Sequence, residues 1–158
     1  MLHEYTLHLV VPKTGALTPE MLEWAAAHSG DPRFPEAYHP FRRLKPRTVA
    51  RALLALDPSL IAEPGEGEIV ILHYPLRDLG VSLSLHDRGI VVRFPLMGGS
   101  LVRIVLGIIY VYVRYLYEQA GFWSYDPQLK VISYADDYQS IDETAALLDG
   151  LLPRLLGG

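Results

Sequence analysis

Apolar residues dominate positions 101–122 (LVRIVLGIIYVYVRYLYEQAGF), and the polar residues within that run fall at helical spacing. Arg103, Gly107, Tyr110, Arg114, Tyr117 and Glu118 are separated by steps of four, three, four, three and one. At about 100° per residue they share one arc about a third of a turn wide. A strand would send Arg103 and Arg114 to opposite faces, because eleven positions separate them. The pattern therefore predicts a long amphipathic helix with a wide buried side and a narrow wet stripe, despite its β-branched residues. A membrane span needs about 20 mostly apolar residues. Here the uninterrupted apolar core is only Ile104 to Val113, with Arg103 before it and Arg114 after it. A core helix is the expected outcome, and no membrane association is expected.

The other elements follow from shorter patterns. Tyr5, Leu7, Leu9 and Val11 alternate with Thr6, His8 and Val10 as in a half-buried strand that ends at Pro12. Thr18-Pro19-Glu20 reads as a helix start, with a capping hydroxyl, proline at the first helical position and an acid for the dipole. Leu17 and Leu22 are spaced for a hydrophobic staple. Pro46 to Leu56 is expected to be a second helix, with Val49, Leu53 and Leu56 on its apolar stripe. Asp57-Pro58 begins a turn that could continue helically through Ile61, and 64–67 reads as a loop.

Glu68 to Tyr74 reads as a strand. Val81 to Leu85 and Ile90 to Phe94 read as a hairpin whose Gly89 can take a positive φ. Phe122 to Tyr125 and Leu129 to Tyr134 form a second hairpin around Asp126-Pro127-Gln128, where proline suits the second position of a type I turn. Ser140-Ile141-Asp142-Glu143 has the form of a capping box ahead of a closing helix with Ile141, Ala145, Leu148, Leu152 and Leu155 on one stripe.

Strands in runs, with helices segregated from them, indicate an α+β fold. A single globular domain over 1–158 is expected. Its mainly antiparallel sheet of about five or six strands, including the two hairpins, packs against the long central apolar helix. Three further helices complete it, with the helices covering one face of the sheet. Residues 29–46 interrupt this order with Pro32, Pro35, Pro40 and Pro46 among Phe34, Tyr38, His39 and Phe41. Proline removes a backbone donor and restricts its predecessor, so this segment reads as an ordered loop packed by its aromatics.

Composition narrows the chemistry. The chain has no cysteine, which rules out disulfides, thiolate metal sites and a cysteine nucleophile, and suits a reducing cytoplasm. Asparagine is also absent, and arginine outnumbers lysine eleven to three, as in a GC-rich bacterium, with a thermophile as a further possibility. The net charge of −4 is uneven. Residues 1–51 carry seven basic and five acidic side chains, the remainder seven and thirteen. Arg42, Arg43, Lys45, Arg47 and Arg51 thus form a basic patch on an acidic body. Nucleic-acid binders are usually basic overall, so nucleic acid is an unlikely partner.

That patch, with Tyr38 and His39 beside it, is the first binding candidate, for a phosphate, a nucleic acid or an acidic protein surface. Its plain alternative is a solvated face paired with acids such as those in 136–149. The second candidate is the stripe of Arg103, Tyr110, Arg114 and Tyr117, because arginine and tyrosine are enriched at interface hot spots. Snorkelling at the edge of the core is its alternative. Tyr112 lies on the apolar side and is expected to need a buried partner for its hydroxyl. Gly98-Gly99-Ser100, at a helix start, could cradle an anion, although it matches no phosphate-loop motif and more simply reads as a turn with a cap.

The six histidines (His3, His8, His28, His39, His73, His86) show no ligand spacing and read individually as surface or loop residues. Asp136 and Asp137 read as complements to a helix dipole rather than as Mg²⁺ ligands. No metal or cofactor is expected, and no catalytic motif is present. Phe122 to Ser133 (FWSYDPQLKVIS), following the long helix and Gly121, resembles small bacterial α+β proteins of the toxin-immunity kind. Those place a helix before a strand reading Tyr-Asp-Pro-Gln. The resemblance spans about a dozen residues and assigns no functional residue. The function expected from all this is non-enzymatic: a protein-binding or regulatory, immunity-like module engaging another protein or its own copy as a homodimer. The alternative is an enzyme or binding domain for a small anionic or phosphorylated ligand.

Overall fold

A computed structural model describes residues 4–28, 38–95, 99–128 and 130–133. It contains a seven-stranded antiparallel sheet and three helices among those residues. In chain order these are β1 (Glu4–Val10), α1 (Pro19–His28), α2 (Pro46–Leu56), β2 (Ile61–Pro64), β3 (Val70–His73), β4 (Ser82–Leu85), β5 (Ile90–Pro95), α3 (Gly99–Ala120), β6 (Trp123–Asp126) and β7 (Val131–Ser133). The α+β class with its long helix stands as read from the sequence. The expected closing helix at 140–155, Asp136, Asp137, Gly98 and positions 29–37 of the proline-rich loop lie outside the described residues.

The strand order is β2-β3-β4-β5-β1-β6-β7, so the first strand of the chain lies inside the sheet, between β5 and β6. Its register pairs Tyr5 with Phe94, Leu7 with Val92 and Leu9 with both Ile90 and Ser124. Alternation sends these residues to one face, where Tyr5 and Phe94 stack with ring centroids 5.1 Å apart. On that face α3 contributes Val102, Val105, Leu106, Ile109, Tyr112, Val113 and Leu116 to the main core, and α2 contributes Ala50 and Leu53.

Helices do not keep to that one face. Val10, Tyr125 and Trp123 point the other way, and with Ile132 they form a second cluster around Leu17 and Phe41. Met21, Leu22 and Ala25 of α1 pack there. The cap of α1 is as expected, with the Met21 N–H donating to Thr18 Oγ1 at 3.4 Å. Its staple pair, Leu17 and Leu22, anchors this second cluster.

Three further readings change. The 57–64 segment supplies an additional edge strand, β2, paired antiparallel with β3 from Ile61↔His73 to Pro64↔Val70. The buried stripe of α2 is Pro46, Ala50 and Leu53, with Val49 half-buried and Leu56 exposed. Gly89 does not adopt a positive φ. It is glycine for space, since an added Cβ would lie 2.9 Å from the Leu9 carbonyl oxygen. Gly121, at φ +74, does need the left-handed conformation. It closes α3 with an αL-type ending, donating to Tyr117 O at 2.9 Å, while Phe122 donates to Leu116 O at 3.4 Å and is buried in the core.

Candidate functional site

The basic patch separates into two places. Arg43, Lys45 and Arg47 are exposed and line a cleft of about 620 Å³ together with Leu44, Pro46, Thr48 and Glu68. The cleft forms because the chain enters α2 here. Lys45 is extended at the N-cap with no side-chain cap, and Pro46 occupies the first helical position without an N–H. Leu44 is held from outside, its N–H donating to Asp87 O at 2.5 Å. Arg42 and Arg51 are exposed but outside that lining, and Tyr38 is exposed. His39 belongs to a different cavity. Gly99 and Ser100 are the first two residues of α3.

The outward side of α3 is broader and more apolar than its sequence suggests. Arg103 is exposed, Arg114 and Tyr110 are half-buried, and Arg114 Nε donates to Glu118 Oε1 at 3.0 Å. Beside this polar stripe, Leu101, Ile104 and Val111 keep 49%, 54% and 56% of their surface exposed. With the half-buried Ile108 and Tyr115 they recur at steps of three, four, three and four. That is the spacing of a two-helix seam. Sequence reasoning placed these residues on the buried side. The core takes only the adjacent arc of α3, and Gly107 adds open space, since a Cβ there would meet nothing within 4 Å.

On the other face of the sheet, the chain segment 38–44 runs as a strap between residue 11 and the β4–β5 turn. Lys13 N donates to Pro40 O at 2.8 Å, Arg42 N to Val11 O at 2.8 Å, and Arg88 Nη1 to Phe41 O at 2.9 Å. Under it lies a cavity of about 230 Å³ walled by Val10, Ala25, Phe41, Ile90 and Val91. Three imidazoles line it: His8 from β1, His39 from the strap and His86 from the turn.

His39 Nδ1 accepts from the Phe41 N–H at 3.1 Å, and its ring meets Trp24 and Phe41 edge-on, with centroids 5.4 Å from each. Burial, then the Arg88 and Lys13 charges, lower the His39 pKa from its usual value. Burial followed by Arg93 and His86 does the same for His8, against a weaker opposing pull from Asp126. His86 Nε2 is buried with no hydrogen-bond partner. Sequence spacing gave no hint that these histidines share a cavity. Among the described residues, no group of three or more acids and histidines has the geometry to hold a metal ion.

The Tyr125-Asp126-Pro127-Gln128 run has a structural role. Tyr5 donates its hydroxyl to the buried Asp126 Oδ2, and Gln128 donates from its backbone and side-chain nitrogens to Asp126 Oδ1, each at 2.9 Å. The Gln128 amide then pairs with the Thr6 backbone, accepting from its N–H at 3.0 Å and donating to its carbonyl at 2.7 Å. A side chain thereby extends the β1 ladder beyond the end of β6. Tyr5 is held protonated, its pKa raised first by burial and then by Asp126. Tyr112 is buried as expected, but the partner of its hydroxyl is only half-buried: it donates to Asp57 Oδ2 at 2.5 Å, just past the end of α2.

No helix among the described residues is long and apolar enough to cross a membrane. No protein-family model, curated protein or solved structure matches the chain.

Proposed function

We propose that this protein is a non-enzymatic binding module of the bacterial cytoplasm that self-associates through α3, with a second copy as the occupant of its apolar seam. The observation that carries this reading is the exposure of Leu101, Ile104 and Val111 at seam spacing on a helix whose opposite side is fully packed. Covering a large aliphatic side chain contributes about 1.5–3 kcal/mol when complete, so three half-exposed ones leave a few kcal/mol unrealised.

Antiparallel pairing centred between Ile108 and Val111 suits a second copy. It sets Ile104 against Tyr115 and Ile108 against Val111, and brings Arg103 of one copy within a turn of Glu118 of the other, whereas parallel pairing would put like charges together. A seam of this length is smaller than the roughly 800 Å² per partner of standard interfaces, so a dimer in the micromolar range is expected.

Replacing Ile104 or Val111 by glutamate should abolish the dimer, read by light scattering after gel filtration, while leaving the circular dichroism spectrum unchanged. A folded Val111→Glu protein with undiminished dimerisation would remove α3 as the interface.

The basic cleft supports a second reading, the capture of a small phosphorylated anion by Arg43, Lys45 and Arg47. Inorganic phosphate and nucleoside phosphates at 100 times their Kd should add about 2.7 kcal/mol of stability, read as a rise in Tm. That rise should vanish in Arg43→Ala/Arg47→Ala. No shift with any of them would end this reading.

A further inference from the structure

We propose that the 38–44 strap is a pH-operated lid over the second apolar cluster, latched by the neutral form of His39. As pH falls the strap opens and bares Phe41, with the sides of Val10 and Leu17 that pack against it. The strap lies on the opposite sheet face from α3, so its opening is independent of the association proposed above.

The latch is the turn that His39 makes. A backbone N–H can only donate, so the 3.1 Å contact from the Phe41 N–H fixes His39 Nδ1 as an acceptor. The proton of the neutral ring is therefore on Nε2. Asparagine makes the same bond to the N–H two residues on, and here an imidazole takes its place. A second proton can enter the ring only at Nδ1, where it displaces the Phe41 N–H. The charged ring and the closed turn exclude each other.

The surroundings of the latch oppose the charge as well. Arg88 of the β4–β5 turn and Lys13 after β1 act against it, and Asp87 acts for it. Deeper in the cavity lie His8 and His86. Arg93 of β5 and His86 disfavour a charge on His8, which Asp126 favours. On α1, Trp24 meets His39 edge-on and also meets His28. The strap is the part that can yield. It is held by the Pro12–Phe41 bridge, the Lys13 and Arg42 amides and the Arg88 side chain, whereas β1 and β5 pair over six positions. Opening returns His39 to water, where it takes up a proton near its usual pKa of about 6.5. The closed form is thus fully favoured above that pH and loses ground below it. Within that window each pH unit favours the open form by up to about tenfold per proton taken up.

Hydrogen exchange of the full chain, read by NMR at pH 7.5 and 5.5 and corrected for intrinsic rates, tests the lid. The Lys13, Phe41 and Arg42 amides report the strap, and the β1–β5 amides report the sheet. The strap amides should open more readily than the sheet at both pH values. Their protection should fall at least about fivefold at the lower pH. His39→Asn keeps an acceptor for the Phe41 N–H but cannot titrate, so it should lose most of that fall. In the native chain, the shifts of the strap amides should follow the titration of the His39 ring, a readout that needs no variant. The proposal is overturned by strap protection that is the same at both pH values, or by strap amides that exchange only together with the sheet. An equal fall in folded His39→Asn, or a His39 ring that titrates while the strap amides stay still, overturns it too.

Discussion

At the scale of single residues, the histidines of the strap cavity give the protein a defined acid sensitivity. His8 and His39 both have folded-state pKa values lowered from the usual 6.5, first by burial. The unfolded chain therefore takes up protons on these groups before the folded one does. Their contribution to stability is complete above about pH 6.5 and is lost as pH falls below it towards the lowered folded values. Asp57, whose carboxyl is held below its usual range by Ser59 and Tyr112, loses its contribution only at lower pH still, below about pH 4. Lowering the pH from 7.5 to 5.5 in a cationic buffer should thus reduce Tm by a few degrees. His8→Leu should reduce that dependence, as scanning calorimetry would show. A Tm unchanged over this range would mean that neither imidazole is held neutral by the fold.

At the scale of elements, the contrast between two glycines separates packing from propensity. Gly89 lies under β1, where a methyl group would meet a backbone oxygen that cannot yield. Gly89→Ala should cost about 1–3 kcal/mol, as for an overpacked core site. Gly107 lies mid-helix facing open space, so Gly107→Ala should stabilise the monomer by up to about 1 kcal/mol through helix propensity alone. Urea unfolding of both variants checks the pair, and a destabilised Gly107→Ala would show that the outward side of α3 is already covered within the chain.

Most elements were legible because their signals are local. Thr18 with Pro19 marks the start of α1, alternation marks β1, and Gly121 marks the end of α3. Strand β2 was not, because Ile61-Ala62-Glu63-Pro64 has no alternation of its own and owes its conformation to pairing with β3. The second role of α3 was hidden for another reason. Leu101, Ile104 and Val111 have the same hydrophobicity exposed as buried, and only the sheet decides which arc it takes.

At the scale of the whole molecule, the sheet keeps the candidate functions apart. The α3 seam lies over one face, the histidine cavity over the other, and the basic cleft at the entry to α2. The cleft was half legible, because Arg43, Lys45 and Arg47 are close in sequence and a helix start explains their convergence. The cavity was not. His8 and His86 are separated by most of the described chain and meet only because β1 inserts beside β5. Asp126 and Gln128, which sequence explains as turn chemistry, also fasten the second hairpin to β1.

Sedimentation equilibrium of the full chain at concentrations from about 1 to 100 μM, spanning the affinity expected of a short helical seam, tests the central claim most directly. A reversible monomer–dimer equilibrium is expected for the native sequence, with only monomer for Ile104→Glu at every concentration. A native chain that remains monomeric throughout would contradict self-association through α3.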